Sequence, residues 1–254
     1  MRTMILAAIL AATPAVTAPA AAQTPAPQAG AALDPEAAEA LNRMGAYMRT
    51  LKSFEVKSDA TFERVYENGQ KLQFGTVTTY RVKHPDQLQA EIATDRNQWK
   101  IFYNGKQLWL VAPNSSKYTT FSVSGSVADV LTRARDNWGL DFPLQDLFRW
   151  GSPTATVEQP SSGFKVGDTT LGNTPVTQYA FRQPGIDFQI WIVKGEQPLP
   201  AKMVITNLDV PEQPQFVTRF TWNLNPELPS GSFSFHPSSR DQRVTFGADA
   251  AAEK

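Results

Sequence analysis

Residues 188–206 read FQIWIVKGEQPLPAKMVIT, and this stretch decides the fold. Two apolar runs, Phe188 to Val193 and Met203 to Thr206, flank a link that contains Gly195, Pro198 and Pro200. Ile, Val, Trp and Phe suit a pleated, buried surface. Gly195 can take a positive φ, and the prolines lack the backbone donor that a continuing strand needs. The pattern predicts a β-hairpin with a wide loop. In its first arm Phe188, Ile190 and Ile192 fall on one face, Trp191 and Val193 on the other. A strand apolar on both faces has something packed on each side, which predicts a curved sheet with a covering layer.

Strands are expected on both sides of this hairpin. Phe54, Val56, Ser58, Ala60 and Phe62 alternate with Glu55, Lys57, Asp59, Thr61 and Glu63, a clean period of two with one wet face. An Asn68-Gly69 turn leads into Leu72–Val82, and His84-Pro85-Asp86 turns into Leu88–Ala93. A second Asn-Gly turn, Asn104-Gly105, joins Trp99–Tyr103 to Gln107–Val111, and Tyr118–Val123 follows. Hairpin after hairpin makes an antiparallel meander. Further strands are expected at Gly163–Leu171, Pro175–Arg182 and Gln215–Leu224, with a closing edge from Phe233–Pro237 and Val244–Phe246.

Helices frame and interrupt the meander. Asp34 is a good N-cap before Pro35, and Ala37, Leu41, Met44, Met48 and Leu51 form one apolar stripe that reads as a face packed on the sheet. Ser126, with Asp129 three residues on, opens a helix whose Val127, Val130, Leu131, Ala134 and Trp138 share a face, and Gly139 ends it. A second short helix from Pro143 to Gly151 carries Leu144, Leu147, Phe148 and Trp150. This insertion, residues 126–151, is more apolar than a surface helix needs.

The chain has 254 residues and no Cys, so neither a disulfide nor a lipid anchor on Cys is available. Arg2, an apolar run too short to span a bilayer, and the small-residue site Ala20-Ala21-Ala22 predict a signal peptide over residues 1–22 and a periplasmic protein. Residues 23–33 read as a disordered linker, 34–247 as one domain and 248–254 as a frayed tail. Without Arg2 the 24 basic residues become 23 against 24 acidic ones, a near-neutral balance with no footprint for nucleic acid. No integral membrane span is expected, and a monomer is.

Several runs resemble a family of predicted periplasmic proteins known as a domain of unknown function. They include Gly69-Gln70-Lys71-Leu72-Gln73, His84-Pro85-Asp86-Gln87-Leu88, Tyr103-Asn104-Gly105-Lys106 and Pro143-Leu144-Gln145-Asp146-Leu147. Others are Trp138-Gly139, Phe181-Arg182-Gln183-Pro184, Gln189-Ile190-Trp191-Ile192 and Pro198-Leu199-Pro200-Ala201-Lys202. His84 and Gln89 stand where that family commonly carries basic residues. The order of elements also resembles the periplasmic lipoprotein carrier and receptor (LolA/LolB-like) folds. That resemblance implies a mainly β protein with helices (α+β), a curved antiparallel half-barrel of about ten or eleven strands plugged by helices.

Catalytic machinery is sparse. The only histidines, His84 and His236, each precede a proline and read as turn residues; no metal motif, nucleophile motif or phosphate loop is present, and no cofactor is implied. Asp141 and Asp146 read as helix caps. The six Trp and 15 Phe are more informative, because they exceed what one small core requires. They predict an apolar cavity lined by Phe62, Phe74, Tyr80, Trp99, Leu131, Trp138, Phe148, Ile190, Ile192 and Phe220. The expected occupant is an apolar or acylated ligand; the other reading is an envelope protein partner bound by a module with a filled core.

Overall fold

The structure, a computed structural model, describes residues 32–140, 142, 144–149, 160–229 and 231–245. The signal peptide, most of the linker, Asp141, Pro143, Trp150, Gly151, Phe246 and the tail lie outside these residues, as does the side chain of Asp146.

Helix α1, Pro35–Thr50, starts where Asp34 accepts the Glu36 N–H at 2.8 Å. Six strands follow: β1 Ser53–Val65, β2 Lys71–Lys83, β3 Gln87–Thr94, β4 Gln98–Tyr103, β5 Gln107–Ala112 and β6 Lys117–Ser122. Two helices then interrupt the chain, α2 Val127–Trp138 and α3 Gln145–Arg149. In α2 the reciprocal Ser126–Asp129 capping box is present, and Gly139 closes the helix with a φ of +64°. Strands resume as β7 Ser162–Leu171, β8 Thr174–Gln183, β9 Ile186–Val193, β10 Pro200–Asn207 and β11 Gln215–Asn223, and Gln242–Arg243 forms a short β12.

All twelve strands among the described residues belong to one open sheet in the order β12-β6-β5-β4-β3-β2-β1-β11-β10-β9-β8-β7. Every pairing between these strands is antiparallel except β12 on β6. The first strand of the meander therefore pairs with β11, and that one long-range closure joins the halves. The expected edge forms at Gln242–Arg243, with Val244 N–H donating to Tyr118 C=O, whereas Phe233–Pro237 is not a strand.

Register carries apolar rows across the strands. Phe74, Phe62, Phe216, Ile205, Phe188 and Phe181 are successive neighbours, and the row ends at Gly163, where a Cβ would collide with the Phe181 ring. A second row runs Leu110, Ile101, Ala90, Tyr80, Val56. These side chains form the inner face, and the three helices pack on it as one continuous core. Val127, Val130, Leu131 and Ala134 of α2 are buried, and Trp138 stacks on Phe121 at 4.1 Å. Phe148 of α3 meets Tyr80 at 4.9 Å and Phe54 at 6.2 Å. The helices are thus on the concave side, as a plug.

The outer face differs from expectation at the hairpin β9–β10. Among the described residues no helix or strand layer covers it. Trp191 packs with Val176 and Val204 of the flanking strands, and the Lys202 ammonium lies 4.3 Å from its ring centroid. A long cationic side chain can cover an aromatic face while keeping its charge in water. A covering layer does exist farther round, where Phe235 of the C-terminal segment stacks on Phe102 at 5.8 Å and lies tilted against Tyr118 at 5.3 Å. Elsewhere the outer face is wet: Arg81 bridges Glu55 at 2.6 Å and Glu91 at 2.8 Å.

Leu131→Ala should lower the unfolding free energy by about 2–5 kcal/mol, because Leu131 is buried between plug and sheet. Lys57→Ala on the outer face should change it by less than about 0.5 kcal/mol. Urea denaturation of both variants checks this; equal effects would place α2 off the core.

Candidate functional site

The plug does not fill the concave face. It is anchored at one end of the sheet, where Val127 N–H donates to Pro85 C=O at 2.9 Å and the Tyr103 hydroxyl donates to Gly125 C=O at 2.7 Å. Toward the opposite strand ends the link after α2 crosses the inner face, and two clefts open beside it. One, of about 550 Å³, lies between Gly139, Leu140 and Phe142 of the link and Ile92, Trp99, Ile101 and Leu110 of the sheet, reaching Tyr118 and Val244 at the edge. The other, of about 480 Å³, lies between Phe142, Leu144 and Leu147 and a wall of Phe62, Thr76, Thr94, Met203, Ile205 and Phe216. Phe142 and Ile92 line both, so the Phe142 ring divides one apolar trough into two lobes. Each lobe is within the roughly 300–1,000 Å³ range of small-molecule sites.

The two clefts that the link lines are walled by strands from β6 to β10, seven steps along the sheet order. At about 4.8 Å per step a flat sheet would hold those strands some 34 Å apart, too far for one short link to line both clefts. Curling of the sheet brings them together, and that curl makes the trough.

Hydroxyls interrupt the apolar floor. Ser58 and Thr218 hydrogen-bond across β1 and β11 at 2.7 Å, both buried. Thr76 and Thr78 are also buried, and their hydroxyls have no protein partner among the described residues. An unpaired buried hydroxyl costs on the order of 1–3 kcal/mol. Thr76 borders the second lobe, where a ligand acceptor or water could meet it.

A third hollow of about 250 Å³ forms the mouth. It is lined by Phe62, Phe74, Trp99, Thr94 and Gly75 and rimmed by Arg64, Asp95 and Arg96. Phe62 and Thr94 connect it to the second lobe, and Trp99 connects it to the first. Phe62 and Phe74 pair at 5.7 Å; the Arg64 guanidinium carbon lies 5.5 and 5.8 Å from their ring centroids, and that of Arg96 lies 5.7 Å from Phe74. Asp95 accepts the Gly75 N–H at 2.7 Å.

Of the ten residues expected to line a cavity, Phe62, Phe74 and Trp99 line these spaces. Tyr80, Leu131, Ile190, Ile192 and Phe220 are buried in the core, with Trp138 and Phe148 half-buried against it. The sequence reasoning missed Phe142, Ile92, Leu110, Met203, Ile205 and Phe216. Alternation with Phe62 across the β1–β11 pairing would have found Phe216, had the register been known. His84 sits in the β2–β3 turn with its ring 5.9 Å from Phe54, and His236 is exposed near the C-terminus. Asp129 is held in its cap. Among the described residues no three His, Cys, Asp or Glu side chains gather into a metal site.

An open antiparallel half-barrel with a helical plug and an apolar trough is the architecture this chain adopts. The chain belongs to the family described as "Predicted periplasmic protein (DUF2092)", whose profile matches residues 37–247, and it is periplasmic. No helix among the described residues is long and apolar enough to cross a membrane. No curated protein sequence matches the chain. Solved structures with a similar course of chain include an uncharacterized conserved protein from Thermus thermophilus, at 12% identity and a TM-score of 0.45, covering 82% of this chain and 99% of that one. LprF from Mycobacterium bovis is similar at 13% identity and a TM-score of 0.42, over 79% and 99%. A LolA superfamily protein from Nitrosomonas europaea is similar at 11% identity and a TM-score of 0.39, over 78% and 97%.

Thr78→Val should raise the unfolding free energy by about 1 kcal/mol, by removing an unpaired buried hydroxyl, and Ser58→Ala should lower it by about 0.5–1.5 kcal/mol. Thermal or urea unfolding reads both. A loss of stability in Thr78→Val would mean that the hydroxyl has a water partner worth keeping.

Proposed function

We propose that the protein is a non-enzymatic periplasmic carrier or binding protein for a lipid, acylated or other apolar ligand, whose hydrocarbon lies in the trough on either side of Phe142. Residues 34–247 act in this proposal as one half-barrel domain, with residues 126–151 as its plug. The observation that carries it is the pair of apolar lobes, about 550 and 480 Å³, left open between the plug and the inner face. Open apolar surface in water is unfavourable, at roughly 25 cal/mol per Å². Hydrocarbon entering the lobes removes that surface from water and adds its own burial. An interaction module with a filled core would leave no such space, so the open lobes favour the ligand reading.

A neutral fluorescent probe, N-phenylnaphthylamine, should bind the purified protein with enhanced emission and be displaced by long-chain lipids. Leu110→Trp and Ile205→Trp each add bulk to one lobe and, combined, should weaken probe binding by about tenfold or more, equivalent to about 1.4 kcal/mol. Circular dichroism should show the doubly substituted protein folded. Failure of the wild-type protein to bind the probe, or full binding by the folded variant, would overturn the reading.

A further inference from the structure

The inner face of β1 changes character along its length. Phe54, Val56, Ser58, Ala60 and Phe62 face the core and trough, and the next residue on that face is Arg64. Arg96, from the β3–β4 turn, arrives at the same hollow. Both guanidiniums lie near the Phe62–Phe74 pair, and neither has an ion-pair or hydrogen-bond partner for its side chain among the described residues. The acidic residue of the mouth, Asp95, is engaged by the Gly75 N–H. Glu63, near by on β1, is held by Lys71 at 3.3 Å and by the Gln215 N–H at 2.9 Å. Two guanidiniums against one carboxylate leave the mouth net positive.

Resting on the carrier reading above, we propose that the occupant is an amphiphile with an anionic head, and that Arg64 and Arg96 bind that head while its hydrocarbon enters the trough. Guanidinium forks match the oxygens of a carboxylate or a phosphate. The aromatic floor places them beside an apolar surface, where such pairs are less screened than in open water. The buried Thr76 hydroxyl, lining the second lobe one pair from the mouth at Thr94, can donate to an acceptor just below the head, such as an ester carbonyl. Because the mouth adjoins both lobes, a head seated there can send one chain to either side of Phe142.

The test compares three ligands of equal chain length, dodecanol, dodecanoate and dodecyl phosphate, by displacement of the neutral probe N-phenylnaphthylamine. The full mature protein is used below the critical micelle concentrations. At least one anion should bind about tenfold more tightly than the alcohol, and the tighter of the two assigns the head as carboxylate or phosphate. In the Arg64→Gln/Arg96→Gln protein that ratio should fall to near one. Lys57→Gln, on the outer face, should leave it unchanged. Equal affinities for all three ligands in the wild-type protein, or a ratio that survives the double substitution, would overturn the arginine mouth while leaving the apolar trough intact. Failure of both the probe and dodecanol to bind would overturn the trough itself, and the proposal with it.

Discussion

The structure depends on a mismatch between a wide, curled sheet and a short plug. Twelve strands present one apolar inner face, whose alternation is fixed by the β1–β11 and β1–β2 registers. A one-residue slip in either would turn Phe62 and Val56 outward and bring Lys57 and Asp59 inward. The buried Ser58–Thr218 hydrogen bond and the rows of cross-strand apolar neighbours favour the observed register. Helices α1, α2 and α3 pack on the inner face as one core, with Phe148 of α3 against Phe54 and Tyr80 at one end. The same face continues beyond them to Phe62, Ile205 and Phe216, and the link carrying Phe142 crosses that region without filling it.

This division explains why the aromatic residues fall into two populations. Tyr80 and Phe121 consolidate the plugged end, where contact with the helices or neighbouring strands buries them, and Phe181, far along the Phe62 row, is buried against Phe188 at 4.9 Å. Phe62, Phe74 and Trp99 stand at the other end, and Trp99 remains 39% exposed. Exposure of a large apolar side chain within a concave wall is what a ligand site needs before it is occupied. The two arginines at the rim mark the boundary at which the wall changes from hydrocarbon to water.

Much of the architecture was legible in the sequence. The period of two in residues 54–63, the two Asn-Gly turns and the Ser126–Asp129 cap place the strands and α2 to within a residue or two, because each is a local rule acting on adjacent residues. The hairpin at Gly195 was legible for the same reason, its φ of +106° being one that glycine takes freely. Less was legible of the trough. Which of several apolar strands face the same cleft depends on pairings between residues as distant as Phe62 and Phe216, and no local pattern encodes that. Ile190 and Ile192 are buried in the core with Phe188, as the hairpin implied, yet neither lines the open lobes. Phe142 could not be singled out, since one aromatic residue in a short link has no periodicity to read.

The most direct test of the half-empty trough is a crystal structure of the protein with an ω-brominated fatty acid, read at the bromine absorption edge. An anomalous bromine peak should appear on the concave side next to Phe142, with Ile92 or Ile205 within contact distance and the wall otherwise unchanged. A concave face closed by its own side chains, with no bromine between plug and sheet, would contradict it.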